Sequence, residues 1–380
     1  MTTPLTTPST AETIELRVHG ETIVYRLFDV GYAIALDHAS ELLASSAPER
    51  LRPVRGEAQA IQIPNPPVTV GLGNETITLG GARHEAELSG RIFDFGVVSL
   101  RARIVAPSGV AWSEFAAHNA DAASLSAWAE LLTAALAPLL TRIAPAIERA
   151  GRAPVTEDYV VFRVNRLEDA AGVAVSPERL PDEDIAQLLL GERRKLSGAA
   201  RRELLSQRFT YFEDDLAVLT WGSALVVEPV AEDTDVQYVL EFANAQLLEL
   251  RFYDAVLDAE LPQIYTRIAE ARRGFHLLGL RYGRLLADLH TRVADATELV
   301  ERVENSLKVT DDVFLARIYA GALELFRGRT WRNGIDRKVT IVRETYDMLN
   351  GESQSRRAEV LEIIIVVLIM LELALTLLRR

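Results

Sequence analysis

Nineteen residues, Val360 to Leu378, read VLEIIIVVLIMLELALTLL and are broken only by Glu362 and Glu372. As a helix this run is about 28 Å long, against a hydrocarbon core of about 30 Å, so it is just long enough to span a bilayer. Within it, Ile363 to Leu371 is nine consecutive apolar residues. These pass more than twice round a helix and leave no polar face for an interfacial one. A buried helix in a soluble oligomeric bundle is the competing reading, because Glu372 lies inside the run. A carboxylate at that depth costs about 3 kcal/mol, whereas the aliphatic residues contribute about −0.3 to −0.6 kcal/mol each. The sum favours insertion, with Glu362 and Glu372 as intramembrane polar groups. A Glu372 carboxyl that is protonated or faces a partner helix hints at self-association.

The flanks set the orientation. Arg356 and Arg357 precede the run, Arg379 and Arg380 follow it, and Arg337, Lys338 and Arg343 add positive charge upstream only, which places the upstream side inside. The opening MTTPLTTPSTAE is polar, with no basic residue before Arg17, so it reads as neither a secretory signal nor a transit peptide. The expectation is a single-pass, tail-anchored protein with residues 1 to about 355 in the cytoplasm.

Composition narrows the chemistry. The 380 residues allow two or three packed units. The absence of cysteine removes thiol nucleophiles, disulfides and thiolate metal sites. With 41 Lys plus Arg against 54 Asp plus Glu, a net charge of −13 argues against general coating of nucleic acid, and no DNA partner is expected.

The fold class read from the pattern is an α+β N-terminal domain, then an all-α bundle or stalk, then the single C-terminal transmembrane helix. The boundaries are a disordered 1–12, an α+β domain over 13–230, a helical domain over 231–355 and an anchor over 356–380. Residues 13–30 hold two apolar runs joined at His19-Gly20-Glu21, which predicts a hairpin. A helix is expected over 32–43, and loop with short edge strands over 53–81. Strands are expected at 84–92 and 95–105, and helices over 112–149. The remainder of this domain is a strand at 156–167, helices near 182–190 and 197–208, and strands around 209–213 and 216–228. After Pro229 no strand is expected. Leu285, Leu289, Val293, Ala296, Val300, Val303 and Leu307 recur at coiled-coil spacing, open to an intramolecular helix pair or a seam between subunits.

No catalytic motif emerges. GLGNETITLGG (71–81) lacks the helix that a dinucleotide fingerprint demands and reads as a hairpin turn. There is no P-loop, and the six histidines show no ligand spacing. Glu213, Asp214 and Asp215 could hold a hard cation or do acid/base work, but a turn between strands is the plainer reading. Trp221-Gly222-Ser223-Ala224 lacks the second glycine of a nucleophile elbow. No cofactor, metal or catalytic residue is expected. The basic residues Arg327, Arg329, Arg332, Arg337, Lys338 and Arg343 form a candidate contact patch for lipid headgroups or RNA phosphates. The bland alternative is a solvated helix face with acidic neighbours.

Several segments carry a resemblance: FDFGVVSLR (93–101), LAVLTWGSALVVEP (216–229), FANAQLLELRFYDAVLD (242–258), residues 305–350, and RRAEVLEIIIVVLIMLEL (356–373). Together they resemble the family of the required-for-meiotic-nuclear-division protein and its fungal sporulation relatives, over roughly residues 90–375. The resemblance implies a C-terminal membrane segment, homo-oligomers and a link to translation at a membrane. The missing transit peptide would make this a bacterial member on the cytoplasmic face of the inner membrane.

The resulting expectation is a membrane-anchored, self-associating scaffold with membrane lipid and further copies of itself as partners, and with possible ribosome or RNA contact. The alternatives are a cation-dependent hydrolase, a ligand-binding sensor at the membrane, and a soluble oligomer with a buried C-terminal helix.

Overall fold

A computed structural model of the chain describes residues 15–46, 48–50, 65–79, 81–122, 125–151, 155–191, 194–229, 235–273 and 312–378, with scattered positions between 291 and 298. An N-terminal mixed sheet is followed by helices. The chain divides into two units, one of residues 1–249 with 308–328, the other of residues 250–307 with 329–380.

The first unit is built on β1 (Arg17–Asp29), the central strand of a ten-stranded sheet. On one side β1 pairs antiparallel with β9 (Thr156–Glu168). Beyond β9 come β12 (Ser223–Val227), β11 (Leu216–Leu219) and β10 (Gln207–Phe209). On the other side lie β6 (Val97–Val105), β5 (Ala82–Ile92), β4 (Val68–Leu79) and the short β3 (Glu49–Arg50). The pairing of β12 with β9 is parallel and the other ladders of this sheet among the described residues are antiparallel. The two-residue β7 (Val110–Ala111) also pairs with β1, and β2 (Ala33–Ile34) pairs with β8 (Ile147–Glu148) apart from the main sheet.

Strand residues alternate between faces, and the two faces are covered differently. One carries Val24, Phe28, Val98, Leu100, Ala102, Val160 and Phe162 into the main core. Onto it pack α2 (Trp112–Ala122), α3 (Leu125–Ile143) and α4 (Asp182–Leu190). Among the described residues, Ser126–Ala146 is long and apolar enough to cross a membrane. Its Trp128, Leu132, Leu136, Leu139 and Ile143, however, recur every three or four residues as one buried face in the sheet's core. Two shorter helices lie between strands in the chain, α1 (Leu36–Leu42) between β2 and β3 and α5 (Gly198–Leu204) between α4 and β10.

The opposite face receives the part of α6 (Asp235–Arg273) that belongs to the first unit, whose residues 236–249 are all buried. Five of these are polar, namely Gln237, Glu241, Asn244, Gln246 and Glu249. Phe242 meets Phe93, Phe95 and Tyr238 at ring separations of 5.9–6.1 Å. The helix α7 (Val313–Leu325) is started by Asp312, whose carboxylate accepts from the N–H groups of Phe314 and Leu315.

In the second unit, α8 (Gly328–Leu378) pairs with α6 through Leu250, Leu257, Ile335 and Val339. The ammonium of Lys338 lies 2.6 Å from both Asp254 Oδ1 and Asp258 Oδ1. The coiled-coil residues Leu285 to Leu307 and the N-terminal residues 1–14 lie outside the described residues.

Three sequence expectations are corrected. Residues 17–29 form one unbroken strand, and His19-Gly20 is a β-bulge against β9, so no hairpin turns there. A Cβ at Gly20 would meet the carbonyl oxygen of Arg163 at 2.3 Å, so glycine answers a close backbone approach and not a turn. The Gly-rich stretch also differs: residues 71–79 lie in β4, with a bulge between Gly71 and Gly73, and the chain turns only after Leu79. The segment 216–228 is likewise two strands, β11 and β12, around Trp221-Gly222.

Candidate functional site

The bulge between β1 and β9 opens a cavity of about 200 Å³ lined by His19, Gly20, Glu21, Arg103, Val105, Ala106, Ser108, Arg163 and Asn165. His19 opposes Arg166 and Gly20 opposes Val164, which leaves Asn165 as the extra residue of the bulge. Glu21, Arg103 and Arg163 lie on adjacent strands. The carboxylate of Glu21 accepts from Arg103 Nε at 2.6 Å and from Arg163 Nη1 at 2.8 Å. Arg103 also donates from Nη1 to Glu87 at 3.1 Å. The guanidinium of Arg103 is penalised by burial, but the hydrogen bonds and charges of Glu21 and Glu87 outweigh that and raise its pKa.

At the rim, His19 Nδ1 and the Ser108 hydroxyl are hydrogen-bonded at 2.9 Å, the donor depending on the imidazole tautomer. His19 Nε2 approaches Glu168 Oε2 at 3.3 Å without forming a hydrogen bond. Glu168 is itself held by Arg166 Nε at 2.5 Å. Serine, histidine and glutamate stand here in the composition of an acyl-transfer triad. The acid does not align the imidazole, however, so the activated nucleophile of such a triad is not assembled.

Deeper on the same face, Arg91 forms an ion pair with Glu241 of α6, and its guanidinium lies 5.5 Å from the centre of the Tyr238 ring. Burial pushes the Tyr238 hydroxyl well above the usual phenol range. At the end of β1, burial raises the Asp29 carboxyl to about 7, although a hydrogen bond from the Gly31 backbone opposes the shift. Arg91, Ser99 and Leu27 are opposed across the ladder, and Glu157 opposes Leu27 in turn. Polar and charged residues thus run along a sheet face that α6 encloses.

Glu213 and Asp214 are exposed, and the Asp215 carboxylate accepts from the N–H groups of Tyr211 at 2.7 Å and Phe212 at 3.0 Å. These residues form a turn, and no group able to hold a metal ion occurs among the described residues. The Ser223 hydroxyl is buried, donates to the Leu189 carbonyl at 2.7 Å, and lies 2.9 Å from Thr220 Oγ1.

The basic residues are divided. Arg327, Arg329, Arg337 and Arg343 are exposed, Arg332 is half-buried, and Lys338 is engaged by two aspartates. Arg343 precedes Val360 by seventeen residues, about 25 Å along a helix, which exceeds a Debye length. Downstream on α8, Glu362 and Glu372 are both exposed, as are Ile364 to Leu371 between them.

The cavity escaped the reading of the sequence, though a signal was there. Arg101 and Arg103 in SLRARIV, and Arg163 and Asn165 in VVFRVNRL, alternate with aliphatic residues, the mark of a strand with one polar face.

A family profile, "Uncharacterized protein MJ0711, N-terminal domain", matches residues 19–234, more than half of the chain. The uncharacterized protein MJ0711 of Methanocaldococcus jannaschii is 26% identical over 175 residues, which are 46% of this chain and 53% of that protein. The alignment thus spans about half the length of that relative. No solved structure matches. These matches overturn the resemblance to the required-for-meiotic-nuclear-division and sporulation family, and with it the bacterial assignment. The relative is archaeal, and the profile covers the α+β sheet region instead of the C-terminal segments on which that resemblance chiefly rested. The implied link to translation loses that support. Over its sheet-forming part, the chain belongs to the MJ0711 N-terminal domain family.

Proposed function

We propose that the protein is held in a bilayer by residues 360–378 of α8 and presents its α+β unit to the water phase. One observation carries this reading: the eight consecutive aliphatic residues Ile364 to Leu371 are each 48–64% exposed. A helix that pairs with one neighbour shields a stripe, whereas these residues lie on every side. Leaving such side chains in water forfeits roughly 1.5–3 kcal/mol for each that could be fully buried. Hydrocarbon covers all sides at once, and the backbone bonds of a helix are satisfied internally, as a span requires.

The test is flotation of the full chain with phosphatidylcholine vesicles, followed by alkaline carbonate washing. The full chain is expected to float and resist the wash, and a Val367→Arg/Leu368→Arg/Leu371→Arg variant to remain in the aqueous fraction. Full-length protein that stays dispersed in detergent-free buffer as an assembly of defined mass, with this helix protected between copies, overturns the reading in favour of a soluble oligomer.

A further inference from the structure

We propose that the cavity at the β1–β9 bulge binds the phosphoryl group of a small soluble phosphate monoester. The side chains that line it are rich in donors, Arg103, Arg163, His19, Ser108 and Asn165, and include one carboxylate, Glu21, with Glu87 and Glu168 beside them. Glu21 already accepts from both guanidiniums, so the lining offers an entering ligand mainly N–H and O–H groups. Glu87 answers Arg103 as Glu21 does, so the lining would draw an anion by its unused donors and not by an excess of charge.

Arg103 uses Nε and Nη1 on Glu21 and Glu87, and its Nη2 carries two further N–H bonds that have no partner among the described residues. The side-chain amide of Asn165, set at the mouth by the bulge, likewise has none among the described residues.

The direction of approach chooses between anions. Donors come from β1 (His19), β6 (Arg103), β9 (Arg163 and Asn165) and the turn after β6 (Ser108). A planar carboxylate presents two oxygens to one side, whereas a tetrahedral phosphoryl group presents three and can meet donors that converge from several sides. Val105 and Ala106 add an apolar wall that suits the short carbon skeleton of an ester. The cavity volume of about 200 Å³ lies below the roughly 300–1,000 Å³ typical of drug-sized ligands, which limits the ligand to a small molecule.

The experiment is titration of the full chain in detergent micelles with inorganic phosphate, glycerol phosphate and acetate at matched ionic strength. Thermal unfolding and calorimetry provide the readouts. A saturable rise in melting temperature is expected with the two phosphates and not with acetate. The affinity should fall at least about tenfold in Arg103→Gln and in Asn165→Leu, the worth of one charge-assisted hydrogen bond. Asn165 is exposed, so its variant keeps the test informative even where Arg103→Gln unfolds. The proposal is overturned by no saturable response, by an equal response to acetate, or by phosphate binding unchanged in both Asn165→Leu and Ser108→Ala. A response to phosphatidic acid vesicles without one to glycerol phosphate overturns the soluble source.

Discussion

Arg163 of β9 donates from Nη1 to Glu21 of β1 at 2.8 Å across directly opposed strand positions, and the two side chains are only 3% and 7% exposed. A pair so far from water has given up most of its hydration, and removing one partner of such a pair typically costs about 3–5 kcal/mol. Glu21 also serves Arg103, which keeps Glu87 as well, so Glu21→Leu removes the carboxylate that two guanidiniums share, while Arg163→Met leaves Glu21 with Arg103. We expect Glu21→Leu to be the more damaging single change. The Glu21→Leu/Arg163→Met double variant should be more stable than Glu21→Leu alone, since an apolar pair of similar volume can replace a buried ion pair with little loss. Urea unfolding followed by tryptophan fluorescence gives the three values.

Asp29 makes the first unit sensitive to pH. Burial raises its carboxyl to about 7, while an unfolded chain ionises near 4. Between these values the folded state binds more protons than the unfolded one, so stability falls as pH rises from about 4 to about 7 and changes no further from this source above that. The full span is worth about 4 kcal/mol. Asp29→Asn keeps an oxygen that can accept from the Gly31 N–H and removes the titration. The variant is expected to melt higher than the parent at pH 8 and to match it more closely at pH 4. Melting curves across that range check both the sign and the window.

Local pattern carried much of the fold. The β-branched run from Thr156 predicts the strand that becomes β9, the acidic start of DEDIAQLLL predicts α4, and the strand-free stretch after Pro229 becomes α6, α7 and α8 among the described residues. The reading failed where a residue's role depends on distant chain. Gly20 between two polar residues has the local chemistry of a turn, yet its neighbour Glu21 is buried because Arg103 and Arg163, 82 and 142 positions away, close on it. Gly71 and Gly73 likewise suggest a turn, but pairing with β5 holds them in a bulged strand. The cavity shares this origin: its walls come from three strands, and no window of sequence contains them together.

Gly96 tests a different constraint. Its φ is +90°, and an added Cβ would meet the Gly31 carbonyl oxygen at 1.8 Å, while the Gly96 carbonyl accepts from Val30 N–H at 3.0 Å. Gly96→Ala therefore meets both conformational strain and backbone that has no soft side chain to yield. Gly172 has φ +81° with nothing near its virtual Cβ, so Gly172→Ala isolates the strain alone, about 1–2 kcal/mol. We expect Gly96→Ala to cost at least about 2 kcal/mol more than that control, with the difference read from urea midpoints.

In the second unit, Lys338 of α8 ties that helix to Asp254 and Asp258 of α6, and it also donates to the Asp254 backbone carbonyl at 3.2 Å. Burial pulls its pKa down, but the hydrogen bonds and charges of the two aspartates outweigh this and leave it above the usual lysine value. A raised lysine pKa gives a contribution that is fully present below the unfolded pKa, near 10.4, and lost as pH rises through the folded one. Lys338 and Asp254 are both mostly shielded, so Lys338→Met strands a carboxylate and should cost about 2 kcal/mol, whereas Lys338→Met with Asp254→Leu should recover part of that. Because the unit is held by a small apolar cluster of Leu250, Leu257, Ile335 and Val339, the loss should appear locally. Amide exchange in residues 335–343 is expected to accelerate at neutral pH in the single variant. In the parent, the same amides should lose their protection, beyond the intrinsic pH effect on exchange, only when the solution is taken above the lysine range.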